Sequence, residues 1–467
     1  MAPPSLSQRG QVRFDTEIDL RTITDRFYDE KLNPDGVISL ATAENSLLSE
    51  ELSEYMNTHC HITSNHLKYR SAIMNGFGES TIQALPLYIN DYAKPVSPVT
   101  SEHTVIGPGL GSIIAQFMWT VCDEGDGVLL TAPFYDDYRR DIIYPARAKV
   151  ILAHVPPEVD SLSLDCIPYL RSAIHTSQQN GTRVRVLLLC NPHNPVARAY
   201  PAETVLAYAT LAEEFNLHLL VDEVFANQIF PSSYVPSPPP LVSILSLPVS
   251  QPGNPQGVDP SRIHVLAGPT KAFGASGIKA GALVSQHNPT IVKMLNVALR
   301  ATPISSAADA LFTHVLLGNL GDGGHELQGR AQQLGTFTRW YLDENVKRMS
   351  KAFDFVGNWC DFHKLNFVPA SAGVFFLVDF DRIMPTVGST GEPLSAQARL
   401  GAAVASMLRE GVFIKPTTTF ADPVLTRFRI TFTLPEKQMR IALRRLEKAF
   451  GLVEWPGPAN LNTAVQG

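Results

Sequence analysis

The chain has no surplus of positive charge: 38 Lys and Arg stand against 44 Asp and Glu in 467 residues, a net charge of −6 at neutral pH. Nucleic-acid binding needs a basic face to neutralise phosphates, and no local run of Lys or Arg hides one, so that class of function is disfavoured. No stretch reaches the ~20 apolar residues of a membrane span. The first twenty residues, MAPPSLSQRGQVRFDTEIDL, lack an apolar core of signal-peptide length. Cysteine is scarce. Cys60, Cys122, Cys166, Cys190 and Cys360 are scattered, odd in number and without a CxxC pair, which reads as reduced thiols in a cytosolic protein. The 13 histidines include no HExxH or other metal-ligand spacing, so no metal site is expected. Internal repeats are lacking too.

What is present is core. Hydrophobic residues make up 45% and charged residues 18%, the balance of a globular protein, and the length allows about three domain-lengths of material. The middle of the chain alternates short apolar runs with helical stretches. HTVIG (103–107) precedes a helix from near Leu110, and GVLLTAP precedes a helix over about 134–146. AKVILAHV is followed by a helix over 162–178, and VRVLLLCNP by one over 201–215. LHLLVDE, RIHVLAG and AGALVSQ complete the series. Such alternation predicts an α/β fold with a mostly parallel sheet covered by helices on both faces.

Beyond about 288 the pattern turns helical, with one long amphipathic segment around 326–352. A smaller α+β region follows: GVFFLVDF (373–380), a helix near 395–410, RFRITFTL (427–434) and a last helix over 435–450. The expected division is a large α/β domain over 61–300 and a small α+β domain from 1–60 and 301–467, joined by the long helix. Residues 231–261, dense in Pro and Ser, cannot continue sheet or helix and read as a surface insertion.

In open α/β sheets ligands bind outside the carboxyl ends of the strands. Those ends carry a glycine-rich turn, Gly107-Pro108-Gly109-Leu110-Gly111-Ser112, then Phe134-Tyr135, then NPHNP with Asn194, then Asp222-Glu223, and finally Pro269-Thr270-Lys271. One by one these are weak signals. A glycine-rich turn into a helix is as often plain turn as anion site, Asn-Pro pairs initiate turns, and a lone lysine is usually solvated. Together they aim an acid, an amide, an aromatic ring, an anion-binding turn and a lysine at one crevice.

The order Asn194, Asp222, Lys271, with the phosphate-type turn upstream and the arginine-bearing strand RFRIT near the C-terminus, resembles the fold-type-I pyridoxal-phosphate enzymes. The likeness runs from about residue 33 to 450. NPDGVISLATAEN (33–45), DEGDGVLLTAPFYDDYRRD (123–141), NPHNPVARAY and DEVFANQIF (222–230) are similar to the 1-aminocyclopropane-1-carboxylate synthase branch, a neighbour of the alanine and aspartate aminotransferases. The resemblance implies that Lys271 attaches covalently to pyridoxal phosphate and then carries the proton at Cα, tasks that suit a lysine whose pKa is lowered. It implies Asp222 opposite the pyridine nitrogen, Asn194 donating to the phenolic oxygen, and Tyr135 against the ring face. Backbone N–H groups of Leu110, Gly111 and Ser112, with Thr270 and Lys279, would hold the phosphate, and Arg429 the substrate carboxylate. A homodimer with a small-molecule amino acid substrate is implied as well.

The sequence departs from the family in four places. Phe225 stands where relatives have a tyrosine that donates to the phenolic oxygen, Lys279 replaces a phosphate-binding arginine, and Gly268 a serine. Gly76 or Phe77 falls where a tyrosine reaches the neighbouring subunit. Glu44 resembles the acid that the synthase branch keeps near the reacting carbons, and reads equally well as an ordinary helix-start acid. Three outcomes follow: a lyase or transferase acting on an amino acid, S-adenosylmethionine first, by Cα deprotonation and γ-elimination, γ-substitution or cyclopropane closure; an aminotransferase with a 2-oxo acid acceptor; or a non-catalytic binding relative. A nicotinamide dehydrogenase, the remote fourth, leaves Lys271 unexplained.

Overall fold

The computed structural model describes residues 27–64, 66–68, 80–250, 257–321, 332–388 and 390–458. Its strands are β1 (Ile38–Ser39), β2 (Thr104–Gly107), β3 (Gly127–Ala132), β4 (Lys149–His154), β5 (Val184–Cys190), β6 (His218–Asp222), β7 (Ile263–Ala267), β8 (Gly281–Val284), β9 (Asn366–Phe367), β10 (Phe375–Asp379), β11 (Val412–Phe413), β12 (Lys415–Pro416) and β13 (Arg427–Thr431). Seven form one sheet in the order β2-β8-β7-β6-β5-β3-β4. β4, β3, β5, β6 and β7 run parallel, and β8 lies antiparallel between β7 and β2.

The strand sequences explain this placement. In β5, Leu187 and Leu189 join the core on one face of the sheet, while Val186, Leu188 and Cys190 join the core on the other. β6 divides likewise, Leu219 and Val221 against Leu220. A strand buried on both sides has no polar face to show, which is why these segments read as unbroken apolar runs. All the parallel strands end at the same edge, and that edge carries the residues singled out above.

The helix Thr336–Phe362 begins ten residues later than the sequence pattern implied and continues ten residues further. Gly335, in an extended conformation, opens it, and Met349, Phe353, Val356 and Cys360 prolong the apolar stripe at helical spacing. Its first turns, with Phe337 and Tyr341, pack into the core of the large sheet, and its last, with Phe353 and Trp359, into a second core. That second core lies on the antiparallel sheet β12-β13-β10-β9, beside which β1 pairs with β11. Residues of Leu48 to Met56, of Ile304 to Leu317 and of Leu334 to Tyr341, placed by the sequence reading in the small domain, contribute to the large core.

The 231–261 segment has no helix or strand beyond two single turns among its described residues. It is more than a surface loop, however. The Ser243 hydroxyl and the Ile244 N–H donate to the buried Glu223 carboxylate (2.9 and 3.2 Å), Tyr234 packs on Phe353 and Phe367, and Val258 is buried. The segment is pinned to both cores. Among the described residues no helix is long and apolar enough to cross a membrane.

Candidate active site

A cleft of about 990 Å³ opens along the carboxyl edge of the large sheet, against the small sheet. It brings together Leu110, Gly111, Ser112, Tyr135, Asn194, Asp222, Phe225, Thr270, Lys271, Lys279 and Arg429. Glu44 is apart: its side chain is solvent-exposed and does not line the cleft. Gly76 and Phe77 lie outside the described residues.

The small residues around Lys271 let a second segment close over the turn. Gly274 has φ +62°, and a Cβ there would sit 2.0 Å from the Asn45 carbonyl oxygen, so only glycine fits. Three side chains satisfy the turn's carbonyls: Gln228 donates to Lys271 O (2.8 Å), Asn345 to Ala272 O (3.4 Å) and Tyr341 to Phe273 O (2.9 Å). The Lys271 amine is held by Ala43 O at 2.8 Å and Ser276 Oγ at 3.3 Å. Burial pulls its pKa down to about 8; the Glu44 charge opposes that, Arg429 and Lys279 reinforce it, and Asp222 opposes it. The lysine is thereby poised to give up its proton near neutrality.

This shift has a stability consequence in cofactor-free protein. An unfolded lysine binds its proton up to about 10.4, the folded one only to about 8. Between these values the unfolded state carries the extra proton, so stability rises with pH. Lys271→Met should therefore be more stable than the wild type below pH 8. That advantage should shrink by roughly 3 kcal/mol as pH climbs to about 10.4. Urea unfolding at a series of pH values checks it; a constant difference would mean the ammonium is as well solvated folded as unfolded.

Asp222, 5% exposed, ends β6. Burial raises its pKa, while three contacts lower it: the Tyr138 hydroxyl donating at 2.6 Å, the Val224 N–H at 3.1 Å and the Lys271 charge. Arg429 of β13 is 2% exposed. It donates to Asn194 Oδ1 at 2.8 Å and to the Ala41 carbonyl, with the rings of Phe375 and Phe420 centred 4.6 and 4.7 Å away. Burial brings its pKa down to about 10, which leaves it cationic at neutral pH. The helix Leu110–Val121 starts at Gly109 (φ +92°) with no side-chain cap, so its first N–H groups face the cleft as an anion site.

Several lining residues escaped the sequence reading. Asp136 binds Lys415 (2.6 Å), which lies across the cleft in β12; Asp137 accepts from the Tyr135 hydroxyl (2.6 Å). Asp141, pushed up to about 6 by burial, lies near Gly111. Tyr138 opens the helix Tyr138–Ala146, three residues after Tyr135, and the two rings meet edge-on at 5.2 Å.

Residues 37–446 match the family model for "Aminotransferase class I and II", and the chain belongs to that family. Among relatives it is 28% identical to a probable aminotransferase, aclI, of Aspergillus oryzae over 89% of this chain and 91% of that protein. It is 26% identical to the 1-aminocyclopropane-1-carboxylate synthase-like protein 1 of Bos taurus, over 82% and 72%. Among solved structures, the Thermus thermophilus aspartate aminotransferase double mutant 1 superposes with a TM-score of 0.66 at 18% identity, covering 96% of this chain and 100% of that one. A pyridoxal-phosphate-bound putative aminotransferase from Clostridium difficile 630 does so at 0.61 and 14%, covering 88% and 92%. The fold is therefore the fold-type-I architecture, and family and neighbours imply pyridoxal phosphate as cofactor. The cleft fits that group chemically: a poised amine, a buried carboxylate and an uncapped helix N-terminus match an aldehyde, a ring nitrogen and a phosphate.

Proposed function

We propose that the protein removes the Cα proton of an α-amino acid, retains its carboxylate and expels a leaving group from its side chain, with S-adenosylmethionine as the substrate that suits the cleft. Two buried polar atoms carry this reading. Arg429 and Asp136 line the cleft, and Arg429 Nε and Asp136 Oδ1 are buried without a hydrogen-bond partner. The first asks for an acceptor, which a substrate carboxylate supplies. The second asks for a donor or a positive charge. A substrate with a second carboxylate would meet Asp136, Asp137 and Asp141, with Arg140 3.6 Å from the last two, while Lys415 is paired with Asp136 and Arg139 donates to Thr419 O beside the Phe134 ring.

In this reading Lys271 holds the cofactor and moves the proton at Cα. Asp222 faces the ring nitrogen. Asn194, its Oδ1 occupied by Arg429, keeps its amide N–H for the phenolic oxygen, and Tyr135, fixed by Asp137, covers the ring face. Leu110, Gly111 and Ser112 N–H groups, Thr270 and Lys279 hold the phosphate. When bound, pyridoxal phosphate supplies the electron sink for the pair left at Cα. The pair at Cα then bonds to Cγ, closing a cyclopropane as the Cγ–S bond breaks and leaves its electrons on sulfur, so that the sulfonium departs as neutral methylthioadenosine. The exposed Glu44 acts through its charge on Lys271 and not by contact in the cleft. A homodimer in the cytosol, on the family resemblance and the five free thiols, completes the reading.

Methylthioadenosine release from S-adenosylmethionine by the yellow protein tests the proposal. Exchange of an amine with a 2-oxo acid in its place supports the second reading, transamination, which the names of the fungal relatives favour. Borohydride treatment that leaves Lys271 unlabelled would reduce the protein to a binding relative.

Phe225, 3% exposed and edge-on to Phe375 at 5.3 Å, offers no donor to the cofactor. Phe225→Tyr should lower the pKa of the lysine–cofactor linkage by about one unit, the worth of a hydrogen bond to a charged group. An absorbance titration reads it, and an unchanged midpoint refutes it.

A further inference from the structure

We propose that Tyr138 is a positioning residue that acts through Asp222 to keep the cofactor's ring nitrogen protonated. The inference rests on Asp222 facing that nitrogen. Tyr138 opens the helix Tyr138–Ala146, is 1% exposed and donates its hydroxyl to Asp222 Oδ2 at 2.6 Å. The Val224 N–H takes Oδ1. The other titratable groups acting on this carboxylate include Lys271 of the turn after β7, Glu223 next in the chain, Tyr92, Asp141, and Cys190 at the end of β5, whose thiol donates to Pro192 O.

The chemistry of a shared proton explains what the phenol contributes. A carboxylate and a pyridine nitrogen in a dry site hold one proton between them, and it rests on whichever partner the surroundings make more basic. Desolvation favours the neutral pair, with the proton on Asp222. A hydrogen bond donated to the carboxylate stabilises its charged form, and charge-assisted bonds of this length are the strong ones. It therefore pushes the proton back to the ring, where a positive nitrogen is the electron sink. The phenol itself cannot take over the charge: burial, and Asp222 beside it, hold its pKa far above the usual range.

Tyr138 also fills space, packed in the core with Phe134 and Ile142 and edge-on to Tyr135 at 5.2 Å. A purely structural role would disturb cofactor affinity or stability without moving the proton. Holoenzyme reconstituted with pyridoxal phosphate labelled with 15N in the ring separates the two. In the wild type the ring nitrogen should resonate as a pyridinium at neutral pH. In Tyr138→Phe, which removes only the hydroxyl, it should shift toward unprotonated pyridine. Tyr138→His, which can still donate an N–H, should hold it near the wild-type position.

A Tyr138→Phe spectrum identical to wild type overturns the assignment. Should that variant fail to fold, an unprotonated ring in Tyr138→His overturns it equally. A wild-type ring that is already neutral removes the Asp222 premise and the inference with it, whereas a pyridinium in both wild type and Tyr138→Phe sinks the Tyr138 role alone.

Discussion

Lys271→Ala is expected to lower turnover by about 10³-fold while the protein still folds. The amine is the one group in the cleft with its pKa brought close to neutrality from the basic side, and general acid–base transfer is worth roughly 10²- to 10⁴-fold. Folding should survive, because the contacts that shape the turn come from its backbone carbonyls, held by Gln228, Asn345 and Tyr341. The lost side chain leaves a pocket bounded by Ala43 O and Ser276 Oγ. A small primary amine added to the solution should enter it and restore part of the rate in proportion to its concentration. Rate measurements with and without methylamine test both halves. Turnover within tenfold of wild type would mean the proton at Cα travels through another group.

How much of this was legible beforehand follows from which interactions are local. The strands of the large sheet could be read because burial on both faces leaves an apolar run in the sequence, as in Val184–Cys190. The cleft residues at their carboxyl ends followed from topology, since parallel strands bring Tyr135, Asn194, Asp222 and Lys271 to one edge however far apart they lie in the chain. Contacts between distant segments were not legible. Nothing near Asp136 announces Lys415, and nothing near Asp222 announces Tyr138, 84 positions earlier. Glu44 shows the converse. Its sequence neighbourhood resembles a site motif, yet the lysine donates its hydrogen bond to the adjacent Ala43 carbonyl, while Glu44 acts on the lysine through its charge. The reach of the long helix was hidden for a related reason. A helix of 27 residues that serves two cores shows one continuous stripe, and amphipathic spacing does not tell which core each turn meets.

Arg429 gives the other large effect, and it separates recognition from chemistry. Its guanidinium is fixed before any substrate arrives, by Asn194, by the Ala41 carbonyl and by the flanking rings of Phe375 and Phe420. Nε is left over. Such a fork meets a carboxylate at two points without reorganising, which a lysine ammonium cannot do. Truncating one partner of a buried, hydrogen-bonded charge pair costs about 2–5 kcal/mol, or roughly 30- to 5,000-fold in kcat/KM. Arg429→Lys is the cleaner probe, because it keeps a charge where Arg429→Leu would strip both Asn194 and Ala41 of their donor. We expect it to raise KM for an α-amino acid strongly and kcat/KM to fall within that range, with kcat changed less. A decarboxylated analogue of the same amino acid has nothing for the fork to hold, so its weaker binding should be the same in both proteins. With a pKa near 10 the guanidinium stays charged across the neutral range, so the loss should not vary between pH 6 and about 9. An equal effect on the acid and its decarboxylated analogue would move the carboxylate elsewhere in the cleft, and Arg429 would then be a bolt between the two sheets, joining β13 to Asn194.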